Sequence, residues 1–495
     1  MNVGGLIEAN FGARKAGGHL AFALAALLLA GCATLERVGE PPHAGPLPDV
    51  APRQTLDTPE TLEHKRLVAI YGGEYNAPAL RRYVNDILVR LAPASDNPGQ
   101  VFKATLLNSP IVNAFALPTG NIYVTRGLLA LANDSSELAA VMAHEIGHVT
   151  ARHASLRAEE EKRAAVISQA AAVIQSRQKG EEVQATSRVS IASFSRQQEI
   201  DADQIGVRVI ARAGFDPYGA SRFLVSLGRA TALRAALLAR KNDGKPDILA
   251  THPATPERIA LVTSVARQIG APGLGENDRA SYLSAIDGLS YGDDPSEGFI
   301  RGARFVHPRL GFGFSAPEGF VLDNSARAIL GVKGGGEEAL RLDSVRAAPG
   351  QSLEAYVASG WVDGLMASSI ETLEVSGLPA VTATARAGEW NFRIAVIRLD
   401  NDIYRLMYAV RALNDDTDRR FRASIASFHR VSPEETARAR ALKVAVIAAA
   451  DGDAPSTMAA RMVVPDRPLE HFLLLNGLEP GAALKPGQRY KIVIE

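Results

Sequence analysis

The chain has 495 residues, 46% hydrophobic and 22% charged, with 54 basic and 54 acidic side chains and a formal net charge of zero. That length exceeds what one hydrophobic core fills, so several domains are expected. The balanced charge excludes the basic surface of a nucleic-acid binder, and a single cysteine, Cys32, excludes an intramolecular disulfide.

The N-terminal segment reads as an export signal. Arg14 and Lys15 precede an apolar run from Leu20 to Ala30. This run is about half the roughly 20 residues that a spanning helix needs. It ends Leu29-Ala30-Gly31-Cys32, which resembles the cleavage site of a bacterial lipoprotein signal. The resemblance implies cleavage before Cys32, with lipid on its sulfur and amino group anchoring the chain to a membrane. Ala33, where an Asp would mark retention, favours the outer membrane. Residues 1–32 are thus expected to be a signal peptide, and residues 33–55, rich in Pro and Gly, a flexible tether. No later stretch is apolar enough to span a bilayer, so the remainder is expected to face the periplasm.

From 56 to 270 the pattern is mainly helical. Leu80 to Leu91 carries apolar residues at helical spacing. Residues 101–107 and 121–125 read as short strands, with Pro118-Thr119-Gly120 as turn chemistry between them. Asp134-Ser135-Ser136-Glu137 is a helix start, and that helix is expected to run through His148 to about Ala154. Further helices are expected over 156–178 and 196–213.

Inside the helix from Asp134 lies His144-Glu145-Ile146-Gly147-His148. A helix advances about 100° per residue, so the two histidines sit about 40° apart on one face. Both imidazoles can reach one zinc ion. Glu145 is offset, placed to act on the attacking water rather than to ligate. Catalytic zinc usually has three protein ligands, so a third is sought. His153 does not stand in the register of a third histidine, because the positions that would need Gly and His are Ala151 and Ala154. Glu199, in Gln198-Glu199-Ile200-Asp201-Ala202-Asp203, is the better candidate. Glu199 and Asp203 share a helical face, so Glu199 can ligate while Asp203 orients a ligating histidine. A solvated acidic face is the alternative reading of that pair, whereas Asp201 lies on another face.

The HExxH followed about fifty residues later by ExxAD resembles the zinc peptidase family of the CAAX prenyl protease, HtpX, the mitochondrial OMA protease and BepA. Asn113–Gly120, Ile122–Leu129 and Thr251-His252-Pro253-Ala254-Thr255-Pro256-Glu257-Arg258 are similar to further segments of it, over residues 60 to about 265. Thr119 departs from the family's frequent Gly. The resemblance implies one zinc ion per chain held by His144, His148 and Glu199, with Glu145 as general base and Asp203 behind a ligand. It places His252 near the metal, either stabilising the oxyanion or filling the open position and keeping the enzyme latent. The strand around 121–125 is expected to pair with an extended substrate, which makes Asn113, Ile122, Tyr123 and Val124 candidate substrate-binding residues.

Residues 271–299, rich in Gly, Asp and Ser, read as a linker. Residues 300–432 alternate strands and a few helices, including a β-hairpin of Trp390–Leu399 and Ile403–Val410. Phe305-Val306-His307-Pro308 and Gly311-Phe312-Gly313-Phe314 resemble the start of α/β domains of the PsbP/Mog1 kind. This region holds no catalytic cluster, so a docking role is expected. Residues 440–495 resemble a LysM module, a βααβ unit with Asn476-Gly477 and Lys485-Pro486-Gly487 turns. That implies peptidoglycan binding, but the insert around Val464–Pro468 leaves a structural role equally open.

The expected architecture is therefore multidomain: a mainly α-helical zinc peptidase domain with a small β-sheet (56–270), an α/β accessory domain (300–432) and a βααβ LysM-like module (440–495). The expected function is zinc-dependent cleavage of misfolded or stalled envelope proteins. The alternative is an envelope chaperone or assembly scaffold with an occluded zinc site.

Overall fold

In the computed structural model, Asp134 starts the largely buried helix Ser135–Thr150 by accepting a hydrogen bond from the Glu137 amide at 2.9 Å. Such an N-cap is worth about 1 kcal/mol. The structure describes residues 58–159, 162, 196–237, 252, 254–294, 297–324, 328–333, 336–348, 350–438, 440–464 and 466–495. Cys32, the signal, the tether and most of the helix expected over 156–178 lie outside them. Residues His64–Glu495 form one compact unit, and no helix among the described residues is long and apolar enough to cross a membrane.

The peptidase-like half begins with α1 (Pro59–Ile70) and α2 (Pro78–Ala94). Three short strands follow: β1 (Lys103–Leu107), β2 (Ala114–Ala116) and β3 (Asn121–Thr125). Next come α3 (Arg126–Leu131), α4 (Ser135–Thr150) and α5 (196–212). Then come α6 (Gly219–Leu237), α7 (Pro256–Ile269) and α8 (Arg279–Ile286). α4 ends at Thr150, short of the expected Ala154. Arg152 takes a left-handed φ of 56°, and helix resumes over 153–159.

The three strands lie in the order β1-β3-β2, with β1 parallel and β2 antiparallel to β3. β3 is therefore central, with partners on both edges, and Ile122, Tyr123 and Val124 are each fully buried. An added substrate strand cannot pair with it, which corrects the expectation for 121–125. Strand order depends on distant pairing and is not written in local sequence. Residues 73–75 cover the C-terminal end of the outer edge of β1, at Leu106–Asn108. β2, which packs against α4, is an edge strand with no strand on its other side among the described residues.

The expected linker at 271–299 is also corrected. α8 buries Tyr282, Leu283 and Ile286 in the core shared with α2, α4 and β3, and the Tyr282 hydroxyl donates to the Leu129 carbonyl at 2.6 Å. β4 (Ser290–Tyr291) then pairs with the C-terminal unit.

In the accessory region, seven antiparallel strands run from β8 (Val321–Asn324) through β9 (Ile329–Lys333), β10 (Glu338–Arg346), β14 (Asp402–Val410), β13 (Trp390–Leu399) and β12 (Leu378–Ala387) to β11 (Glu371–Val375). The expected hairpin is β13–β14, with Asp400 in its turn at φ 55°. A second, four-stranded sheet contains β5 (Phe299–Arg301), β6 (Arg304–His307), β7 (Phe312–Ser315) and β15 (His429–Arg430). The C-terminal unit consists of β16 (Leu442–Ala448), two helices (Pro455–Ala459 and Pro468–Leu475) and β17 (Arg489–Ile494). It does not stand apart from the rest: β16 pairs with β4, and Val444 enters the core that holds α4.

Candidate metal centre

Two helices meet here because two glycines let their backbones touch. A Cβ on Gly147 of α4 would lie 3.2 Å from the Ala202 Cα, and one on Gly206 of α5 would lie 3.1 Å from the His144 nitrogen. Larger residues at either position would push the helices apart. The close approach sets Glu199 and Asp203 of α5 against His144 and His148 of α4. α7 closes the third side: Thr255 caps it by accepting from the Arg258 amide, with Pro256 in its first turn. His252 lies just before that cap.

Four side chains converge. His144, His148, Glu199 and His252 each offer a ligand atom, all within 4.8 Å of one another. His144 Nε2 lies 3.1 Å from His148 Nε2, 3.3 Å from His252 Nδ1 and 3.4 Å from Glu199 Oε2. His148 Nε2 is 3.3 Å from Glu199 Oε1, and His252 Nδ1 is 2.9 Å from the same oxygen. Three imidazoles and one carboxylate are the donor types of a transition-metal site.

Glu199 and Asp203 are buried and share the buried Arg258. One guanidinium leaves part of that carboxylate charge to be offset by His144 or by a bound cation.

The surroundings bias each group. Burial pushes the His148 pKa down to about 3. Burial also works against charge on His144, but its contacts with Asp203 and Glu199 outweigh this and lift it to about 10. Burial raises Glu145, which favours a carboxyl that takes up a proton. For Glu199 burial pushes upward, but hydrogen bonds from His144, His148 and His252 hold its carboxyl far below the usual range. For Asp203 the same upward push is overcome by Arg258 and His144.

Behind the ligands stand three orienting contacts. His144 Nδ1 lies 2.9 Å from Asp203 Oδ1. His148 Nδ1 lies 3.0 Å from His153 Nδ1. Arg258 Nη1 reaches Glu199 Oε2 at 3.0 Å. The structure thus brings together His144, Glu145, His148, Glu199, Asp203 and His252. His153 stands behind His148 and outside the converging set. Asn113 donates its side chain to the Tyr71 hydroxyl at 3.1 Å. The sequence shows Arg258 only as part of a signature, and no local signal links it to Glu199 and Asp203, 55 residues or more upstream.

The family model described as Peptidase family M48 matches residues 78–266, which contain this whole centre. The chain is 34% identical over 219 residues to the beta-barrel assembly-enhancing protease of Escherichia coli K12, covering 42% of this chain and 43% of that protein. It is 33% identical over 172 residues to the mitochondrial metalloendopeptidase OMA1 of Arabidopsis thaliana, covering 34% of this chain and 33% of that one. The chain thus spans less than half the length of these relatives. A solution structure of cyanobacterial PsbP from Synechocystis overlaps 28% of this chain and 96% of its own at 13% identity, with a TM-score of 0.20.

Proposed function

We propose that the chain is a zinc-dependent metalloendopeptidase that cleaves misfolded or stalled proteins of the bacterial cell envelope, a reading supported by the match of residues 78–266 to the peptidase family M48 model. The observation that carries this is the convergence of His144, His148, Glu199 and His252 beside the buried Glu145. Zinc, when bound, supplies a Lewis acid that polarises the scissile carbonyl and lowers the pKa of water.

The chain's own residues do the rest. Glu145 takes the proton of the attacking water and delivers it to the leaving amine, and burial favours its protonated state between the two transfers. Asp203 and Arg258 fix the orientation of His144 and Glu199. β2, an edge strand along α4, is placed to receive an extended substrate. Ala114 and Ala116 are its residues whose N–H groups point away from β3, since the flanking pairs Asn113–Thr125 and Leu117–Asn121 carry the bonds to β3. Backbone pairing of this kind accepts unfolded chains with little sequence preference.

His252, whose Nδ1 lies 2.9 Å from Glu199 Oε1 and 3.3 Å from His144 Nε2, would be a fourth ligand to a metal bound there, and its displacement would open a position for water or substrate. An envelope substrate is in keeping with the Escherichia coli relative being a beta-barrel assembly-enhancing protease. Membrane attachment through lipid on Cys32, at the periplasmic face of the outer membrane, completes the proposal. A scaffold with a permanently closed site is disfavoured, because both Glu145 and the full ligand set are retained. The test is casein cleavage by the purified protein with and without a chelator. Chelator-sensitive cleavage supports the reading, and cleavage that ignores the chelator contradicts it.

A further inference from the structure

Lys491 lies in β17, in a run (Tyr490–Ile494) whose other members are apolar, and its side chain is fully buried. Its amine donates to the carbonyls of Ala130, Leu131 and Ala132 at 2.7, 3.2 and 2.7 Å. These carbonyls close the C-terminal end of α3, where helix carbonyls lack intrahelical partners and a cation is favoured. Burial lowers the pKa of the amine well below its ordinary value. Even so, three acceptors use all three protons of an ammonium, and a neutral amine would leave one carbonyl without a donor.

The C-terminal unit holds Lys491 in place. Asn476 accepts from the Lys491 amide at 2.7 Å and donates to the Lys491 carbonyl at 2.9 Å. Gly477 abuts Asn133, where a Cβ would lie 3.1 Å from the amide nitrogen. Arg489 donates to the Ala280 carbonyl and to Ser284 of α8, and Arg279 of α8 donates to the Asn133 carbonyl. Ala132 and Asn133 join α3 to Asp134, the cap of α4. Side chains of α8, of the C-terminal unit and of α4 bond to this end of α3 and the connection, Glu137 of α4 by accepting from the Asn133 amide.

We propose that Lys491 is a positioning residue for α4, and that residues 442–495 are a working part of the peptidase rather than an independent module appended to it. Lys491 fixes the connection from which α4 departs, and α4 carries His144 and His148 to the metal. The face of the unit that carries Asn476, Gly477 and Lys491 is spent on this contact. The proposal rests on the metallopeptidase reading of α4.

The test is hydrogen–deuterium exchange on the full chain, with and without zinc, for wild type, Lys491→Met, Lys491→Gln and the control Phe472→Leu. Phe472 is fully buried in the unit's own core, so its substitution loosens the unit while leaving the Lys491 hydrogen bonds to α3 their partners. In Lys491→Met the expected result is at least about tenfold faster exchange over residues 130–150, with α2 unchanged. Lys491→Gln, which keeps two donors, falls between it and wild type. Phe472→Leu speeds exchange only within 442–495. Release of zinc to a chelator follows the same order. Unchanged exchange over 130–150 in the Lys491 variants overturns the proposal, as does an equal rise in Phe472→Leu. If Lys491→Met does not fold, Lys491→Gln decides alone. If wild type binds no zinc, the peptidase reading falls, while exchange in the metal-free chain still judges the positioning role.

Discussion

Arg258 grips Asp203 with two prongs, Nε to Oδ2 at 2.7 Å and Nη2 to Oδ1 at 2.8 Å, while the same Asp203 faces His144 Nδ1 at 2.9 Å. A guanidinium makes this fork and a lysine ammonium does not. Arg258→Lys therefore keeps the charge but loses the geometry that orients His144. The expected outcome is zinc affinity lower by about 10–100-fold, measured by chelator competition, in a protein that still folds.

His252 is one of the four converging side chains that could hold a metal ion, and under the proposed function its removal opens the site. His252→Ala is expected to retain zinc on His144, His148 and Glu199 and to cleave casein faster than wild type. A slower variant with unchanged metal content would instead assign His252 to the oxyanion.

The β2 edge has its own test. Ala116→Pro deletes an N–H that points away from β3 and leaves the bonds to β3 intact. One such hydrogen bond is worth about 0.5–1.5 kcal/mol. KM for an unfolded substrate is expected to rise about 3–10-fold, with zinc content and kcat unchanged. A fall in kcat alone would remove β2 from the substrate path.

Glu137, in the first turn of α4, is fully buried next to Asp134 and pairs with Arg222. Burial, reinforced by Asp134, raises its pKa to about 7 from an unfolded value near 4.5. A raised folded pKa means that its stabilising contribution is fully present below about 4.5 and lost as pH rises through about 7. Glu137→Gln removes that dependence. The Tm of the variant minus that of wild type is expected to increase between pH 5 and pH 8. A flat difference across that window contradicts the assignment.

Much of the centre was legible because it is local. The capping at Asp134 and the His144/His148 spacing are both properties of one helix. Glu199 and Asp203 stood out as a pair on one face of another. The contacts that join these helices were not legible. Gly206 is an ordinary helical glycine until α4 lies against it, and Arg258 lies 55 residues beyond Asp203 in sequence. β3 reads the same whether it is central or at an edge. Gly- and Asp-rich flanks hid Tyr282, Leu283 and Ile286, which composition assigned to a linker. Lys491 reads as a solvated strand lysine, and only the arrival of α3's carbonyls shows otherwise.

The most direct test of the central claim is Glu145→Gln. The substitution keeps size and shape, leaves His144, His148, Glu199 and His252 untouched, and removes the group that moves the proton. Zinc content and casein cleavage are measured on the same preparation. The account predicts one zinc ion per chain in both proteins and loss of cleavage by about 100-fold or more in the variant. Cleavage at the wild-type rate by a zinc-loaded Glu145→Gln protein would contradict it.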